Sequence, residues 1–290
     1  MPSLTGNRLS GTGEPGFTAP EYVPWSQLGP SFIEEWGHDE NGKLRGEGME
    51  IAGQTGSGKS YVLATILQQR AERWNTAEIV ILTKESDDSI PLLGWPEVNK
   101  VEDIKKYRQV TFWPKTSAQG EAREQYHEDQ IHQLLSTLWM KDANCVLAFD
   151  EIGYVEDLSP RLKKQIKMYW REARSHGISI VAMKQRPVGI SRDQHSESRW
   201  KIVFPPAHQA DMEAFAELLG RRGDWQPILE GLDRTAHEFV IYNSFTKDAY
   251  ISAIDTKLKP IPAQVNQKGR HTAEVMSGKR AGDSRASSEG

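Results

Sequence analysis

The stretch Gly53 to Ser60, GQTGSGKS, carries residue types at the spacing that holds a phosphate: Gly53, Gly58, Lys59 and Ser60 fit G-x-x-x-x-G-K-[ST]. A glycine-rich turn of this kind exposes backbone N–H groups to phosphate oxygens at a helix N-terminus. The lysine reaches the β- and γ-phosphates and the last hydroxyl ligates Mg²⁺. The nucleotide contacts expected here are Gly53, Gln54, Thr55, Gly56, Ser57, Gly58, Lys59, Ser60 and Tyr61. The motif needs a strand before it and a helix after it, and Met49 to Ala52 and Tyr61 to Arg70 read as that strand and helix.

Downstream comes Cys145-Val146-Leu147-Ala148-Phe149-Asp150-Glu151, an apolar run ending in two acids, with Asp150 ninety residues after Ser60. Such a run reads as a central strand buried on both faces, whose acids emerge at its C-terminal end, where ligands bind in open α/β sheets. Asp150 is then placed to share with Ser60 the metal that accompanies the phosphates, and Glu151 to polarise the attacking water. A second acid beside the metal-binding one separates a hydrolase from a simple binder.

A third segment, REARSHGISIVAMKQRP from Arg171 to Pro187, reads as a helix end, a glycine stop at Gly177, a strand from Ile178 to Met183, and then polar residues. In the order GQTGSGKS, CVLAFDE, ARSHGI…KQRP, the chain resembles the FtsK/HerA superfamily of ring-forming DNA-pumping ATPases over about residues 47 to 204. The family commonly has A-T-Q-R-P where this chain has Ala182-Met183-Lys184-Gln185-Arg186-Pro187, one residue longer, with Lys184 at the usual threonine position. The resemblance makes the first two segments Walker A and Walker B motifs on a RecA-like (ASCE) P-loop NTPase fold. It makes Gln185 the polar sensor near the γ-phosphate, and Arg174 an arginine finger reaching a neighbouring subunit's nucleotide. ATP and Mg²⁺ are the cofactors it implies.

These residues need a scaffold. Apolar runs at Met49–Ala52, Glu78–Leu82, Gln109–Trp113, Cys145–Asp150 and Ile178–Met183 alternate with helical patterns at Ser60–Trp74, Glu121–Lys141 and Pro160–Ser175. Strand and helix in alternation predict an α/β domain with a mostly parallel sheet covered by helices on both faces. Lys201–Phe204, a helix over His208–Leu219, and Glu238–Tyr242 with Ala249–Ile254, spaced as a hairpin, close the domain. The expected layout is an irregular arm over residues 1–46 that packs on a surface, an ATPase domain over 47–257, and a disordered tail over 258–290.

The helix before Arg174 is amphipathic. Leu162, Ile166, Tyr169 and Ala173 form its apolar stripe, and Lys163, Lys164, Lys167, Arg171 and Arg174 form a basic ridge facing solvent, a subunit interface or DNA phosphates. The formal net charge of -4 does not otherwise advertise nucleic-acid binding. The single cysteine, Cys145, excludes an intrachain disulfide, and His127 and His132, five apart, lack metal-ligand spacing. The nine tryptophans are scattered, as buried ones are.

No apolar stretch approaches the ~20 residues of a membrane span, and the N-terminus lacks a signal-peptide core. The expectation is a protein with no integral membrane segment, cytoplasmic, or in the host cytoplasm if phage-encoded.

The resemblance implies a DNA-stimulated ATPase that assembles into a ring, a hexamer, and translocates or packages double-stranded DNA, with capsid, conjugation or membrane-complex partners. The alternative is a nucleotide-gated scaffold that acts on protein or membrane partners without gripping DNA. Small-molecule kinase chemistry fits poorly, because Glu151 and Gln185 suit water activation.

Overall fold

The computed structural model describes residues 19–37, 45–74, 76–84, 89–186, 192–206, 208–220 and 222–258. The first half of the chain forms β1 (Glu21–Tyr22), α1 (Trp25–Glu35), β2 (Gly48–Ala52), α2 (Lys59–Trp74), β3 (Ala77–Ile81), β4 (Glu97–Val98), β5 (Gln109–Phe112), α3 (Glu121–Leu138) and β6 (Cys145–Phe149). The second half forms α4 (Ile152–Leu158), α5 (Pro160–Glu172), β7 (Ile178–Lys184), α6 (Arg192–Glu197), β8 (Ser198–Val203), α7 (Gln209–Leu218), α8 (Arg222–Gly231), β9 (Phe239–Asn243) and β10 (Ala249–Ser252).

Among the described residues these strands make one sheet in the order β1-β10-β9-β8-β2-β7-β6-β3-β5-β4. Every pairing is parallel except β8–β9 and the β9–β10 hairpin, so the mostly parallel α/β sheet with a terminal hairpin is as the sequence predicts.

Strand alternation sorts the core into two faces. Met49, Ile51, Val146, Ala148, Val181 and Met183 meet α1 and α2 on one face. Leu147, Phe149, Ile180 and Ala182 meet α3, α4 and α5 on the other, where Ala52, Val203 and Val240 also meet α7 and α8. Burial on both faces is why β6 reads as an unbroken apolar run, whereas β2 and β3 each bury one acid, Glu50 and Glu78.

The structure corrects the expectation of an irregular arm over residues 1–46. Residues 25–35 are the helix α1, and Trp25, Leu28, Phe32, Ile33 and Trp36 are buried in the core beside α2. The apolar spacing is helical, but Gly29 and Pro30 interrupt it with residues that disfavour helix interiors. Gly29 is there for packing, since a Cβ would lie 2.7 Å from the Trp25 indole nitrogen. Trp25 Nε1 donates to Gln69 Oε1 at 3.0 Å, and the buried Arg70 donates to the Trp36 carbonyl at 2.7 Å with its guanidinium 4.2 Å from the Trp36 ring. β1 pairs with β10, so the sheet takes in chain that precedes residue 47. Residues 1–18, 38–44 and 259–290, including almost all of the expected tail, lie outside the described residues.

Candidate active site

β2 ends at Ala52, and the chain turns through Gly53–Gly58 before α2 starts at Lys59. Gly56 and Gly58 have φ of +80° and +103°, backbone that side-chain-bearing residues rarely adopt. Lys59 is buried and its Nζ donates to the Gln54 carbonyl at 2.9 Å, so the ammonium reaches back across the glycine loop. The Gly53 N–H donates to the Lys184 carbonyl at 3.1 Å, which fixes the entry of the loop to β7.

Strand order decides what faces this loop. β7 lies between β2 and β6, with Ala52 opposite Lys184 and Phe149 opposite Ala182. The chain beyond β7 therefore leaves the sheet between the glycine loop and the two acids. Gln185 sits there, and its Oε1 accepts from Thr55 Oγ1 at 3.2 Å.

A cavity of about 890 Å³ covers these strand ends. The loop and α2 contribute Thr55, Gly56, Gly58, Lys59, Ser60 and Tyr61, β6 leads to Asp150 and Glu151, and β7 leads to Gln185. Of the expected nucleotide contacts, Gly53, Gln54 and Ser57 do not line it: Gly53 is tied to β7, Gln54 supplies the carbonyl for Lys59, and the Ser57 carbonyl lies 3.1 Å from His237 Nδ1.

The donor set fits a hard cation. Ser60 offers a hydroxyl and Asp150 a carboxylate to one cavity, and Thr83 Oγ1 donates to Asp150 Oδ2 at 3.4 Å. Lys84 Nζ lies 4.0 Å from the same oxygen. Burial raises the Glu151 carboxyl above its ordinary range, Lys59 opposes that rise, and the neighbouring Asp150 adds to it. A carboxylate made more basic beside a phosphate loop suits acceptance of a proton from water.

Arg174 is not brought to this site within the chain. It is exposed on a 3₁₀ turn, Ala173–His176, just before β7, at the N-terminal ends of the parallel strands. The seven residues of β7, about 20 Å at roughly 3.3 Å per residue, separate it from the cavity edge. On α5 the apolar stripe is buried as predicted. The basic ridge is partly neutralised: Lys167 and Arg171 lie 3.1 and 2.7 Å from Asp193 of α6.

Sequence reading missed Thr83, Lys84, Tyr154, Ala236, His237 and Ile254, which line the same cavity. Thr83 and Lys84 follow the apolar strand β3 as Asp150 and Glu151 follow β6, a signal that was available. His237 had none. It has φ of +54° in a loop whose Thr235 and Ala236 N–H groups donate to Asp233 Oδ1 at 2.8 and 3.2 Å.

No protein-family model matches the chain, and no curated protein matches it significantly in sequence. Solved structures do match. The genome-packaging NTPase B204 of Sulfolobus turreted icosahedral virus 2, in complex with ATP-γS, superposes with a TM-score of 0.52 at 14% identity, covering 74% of this chain and 98% of that one. VirB4 of Thermoanaerobacter pseudethanolicus gives a TM-score of 0.54 at 12% identity, covering 76% and 96%. The chain has the fold of the FtsK/HerA-type ATPases. The cavity described above lies at the C-terminal strand ends, beside the strand inserted between the glycine loop and the two acids. No helix among the described residues is long and apolar enough to cross a membrane.

Proposed function

We propose that the chain is an ATP-hydrolysing motor that forms a ring, a hexamer by the family's pattern, and translocates or packages double-stranded DNA. The observation that carries this reading is the single cavity in which Lys59 and Ser60 meet Asp150, Glu151 and Gln185. Backbone N–H groups of Gly56–Tyr61 cradle the phosphates, and Lys59 gives up the Gln54 carbonyl for a phosphate oxygen. Ser60 and Asp150 would hold Mg²⁺, which would neutralise charge on the phosphates. Glu151 accepts the proton of the attacking water, and Gln185, anchored by Thr55, orients the transferring group. Support for the substrate comes from the fold neighbours, B204 having been solved in complex with ATP-γS and with AMPPCP. DNA as cargo, capsid, conjugation or membrane-complex partners and a cytoplasmic location belong to the same proposal.

Arg174 completes the site from a neighbouring subunit in this reading. Its place at the far end of β7 suits a head-to-tail ring, in which the N-terminal strand ends of one subunit face the nucleotide of the next. Arg174→Ala is expected to bind nucleotide normally and lose turnover by about 10³-fold or more, the scale of an arginine finger. Mixing it with Lys59→Ala subunits should restore part of the phosphate release. No recovery in co-assembled rings would count against the trans role.

A second reading, a nucleotide-gated scaffold that does not grip DNA, is favoured by the net charge of -4 and by the pairing of Lys167 and Arg171 with Asp193. Phosphate release measured with and without duplex DNA separates the two. A motor should hydrolyse faster with DNA at low salt and lose that gain as salt rises, because phosphate contacts release counterions. Hydrolysis by assembled protein that DNA leaves unchanged at low salt would select the scaffold.

A further inference from the structure

We propose that Lys184 is a positioning residue that fixes the helix immediately following the hydrolytic acid to the phosphate loop. The inference rests on the hydrolase reading above. Lys184 is the last residue of β7, and its two ends hold different parts of the site. Its carbonyl accepts from the Gly53 N–H, the first residue of the glycine loop, at 3.1 Å. Its Nζ lies 3.5 Å from Glu156 Oε2 on α4, with both side chains buried.

α4 is the seven-residue helix that starts immediately after Asp150 and Glu151. So short a helix has little stability of its own, and its placement depends on what it packs against. Ile152 and Val155 give it an apolar footing, and a buried ion pair adds the direction that apolar contact lacks. Strand alternation sends Met183 and Gln185 to the cavity and Lys184 to the opposite face, toward α4. One residue therefore couples loop, α4 and, through the next peptide, the Gln185 side chain that meets Thr55.

The surroundings show why a buried ammonium is tolerated at this position. On the same face the fully buried Glu50 of β2 lies between Lys201 of β8 and Lys184, and Gln194 of α6 bonds it. Lys184 is thus compensated from Glu156 on one side and Glu50 on the other. A polar seam runs between the α3–α5 and α7–α8 packs, where apolar residues would close the sheet face. A group placed only for stability would be cheaper as a hydrophobe.

The test uses Lys184→Met, the milder Glu156→Gln, and the double variant, read by steady-state ATP hydrolysis, binding of a non-hydrolysable ATP analogue, and amide hydrogen exchange. For both single variants, analogue affinity should stay within about threefold of wild type while kcat falls about 10²-fold, the cost of ångström-scale misplacement. The double variant should fall no further than the worse single one, because both remove the same link. Exchange should rise in residues 152–158, and Lys184→Arg should recover part of kcat. Unchanged kcat in Glu156→Gln, or equal losses of affinity and kcat with no selective change in 152–158, would overturn the inference. The exchange readout needs no turnover. A wild-type chain that releases no phosphate would instead defeat the hydrolase reading, while protection of 152–158 still decides whether Lys184 holds α4.

Discussion

Glu151→Gln is expected to bind ATP with near wild-type affinity and to lose kcat by about 10²–10⁴-fold, the range that a positioned general base contributes. The substitution keeps the side chain's size and its place one residue past the Asp150 that closes the sheet, so the cavity and the phosphate loop stay as they are. What changes is the ability to take a proton. Glu151 is half-buried, and burial raises its carboxyl while Lys59 counters that rise. It is thus more basic than an exposed glutamate, with the Lys59 cation opposing the rise, a balance an amide cannot reproduce. The measurements are equilibrium binding of ATP and single-turnover phosphate release. A variant that hydrolyses within a few-fold of wild type would move the base to another residue, and loss of binding would show that Glu151 serves the loop's structure.

Lys59→Ala is expected to remove nucleotide binding and turnover together, with kcat/KM down about 10²–10³-fold or more, the loss seen when one preorganised charge-stabilising donor is taken from a reacting centre. The lysine acts on phosphate charge in both the bound and the reacting state, so both should fall, unlike the selective loss in Glu151→Gln. The fold should survive. Lys59 donates a hydrogen bond to a loop carbonyl, and a bond from a charged group is worth about 1.5–3 kcal/mol, while the apolar face of α2 stays buried. Thermal unfolding distinguishes a dead site from a collapsed one. An Ala variant that turns over at wild-type rate would show that the loop does not hold a triphosphate.

The two variants together test a division of labour that local sequence already carried. The glycine loop is legible because its chemistry is contiguous: a strand, a turn that requires glycine and a helix N-terminus lie within a few consecutive residues. Asp150 and Glu151 are legible because they follow five consecutive apolar residues, Cys145 to Phe149, so the change to charge marks the end of β6. Thr83 and Lys84 follow the apolar residues Ile79 to Leu82 in the same way. Helix α1 was obscured because Gly29 and Pro30 have low helix propensity, and propensity yields when Trp25 and Phe32 gain burial in a core that the local sequence does not reveal.

The sequence by itself determined where the glycine loop and the two acids fall at the ends of their strands, the alternation that makes a parallel sheet, and the apolar stripe of α5. These depend on neighbours in the chain and on periodicity. Only the tertiary structure decided the insertion of β7 between β2 and β6, which puts Gln185 against Thr55 and Lys184 against Glu156. It also decided the arrival of His237 over the glycine loop, and the removal of Arg174 to the opposite end of the sheet. Strand order and loop convergence arise from burial among segments tens to hundreds of residues apart, and no local pattern encodes which of them will meet.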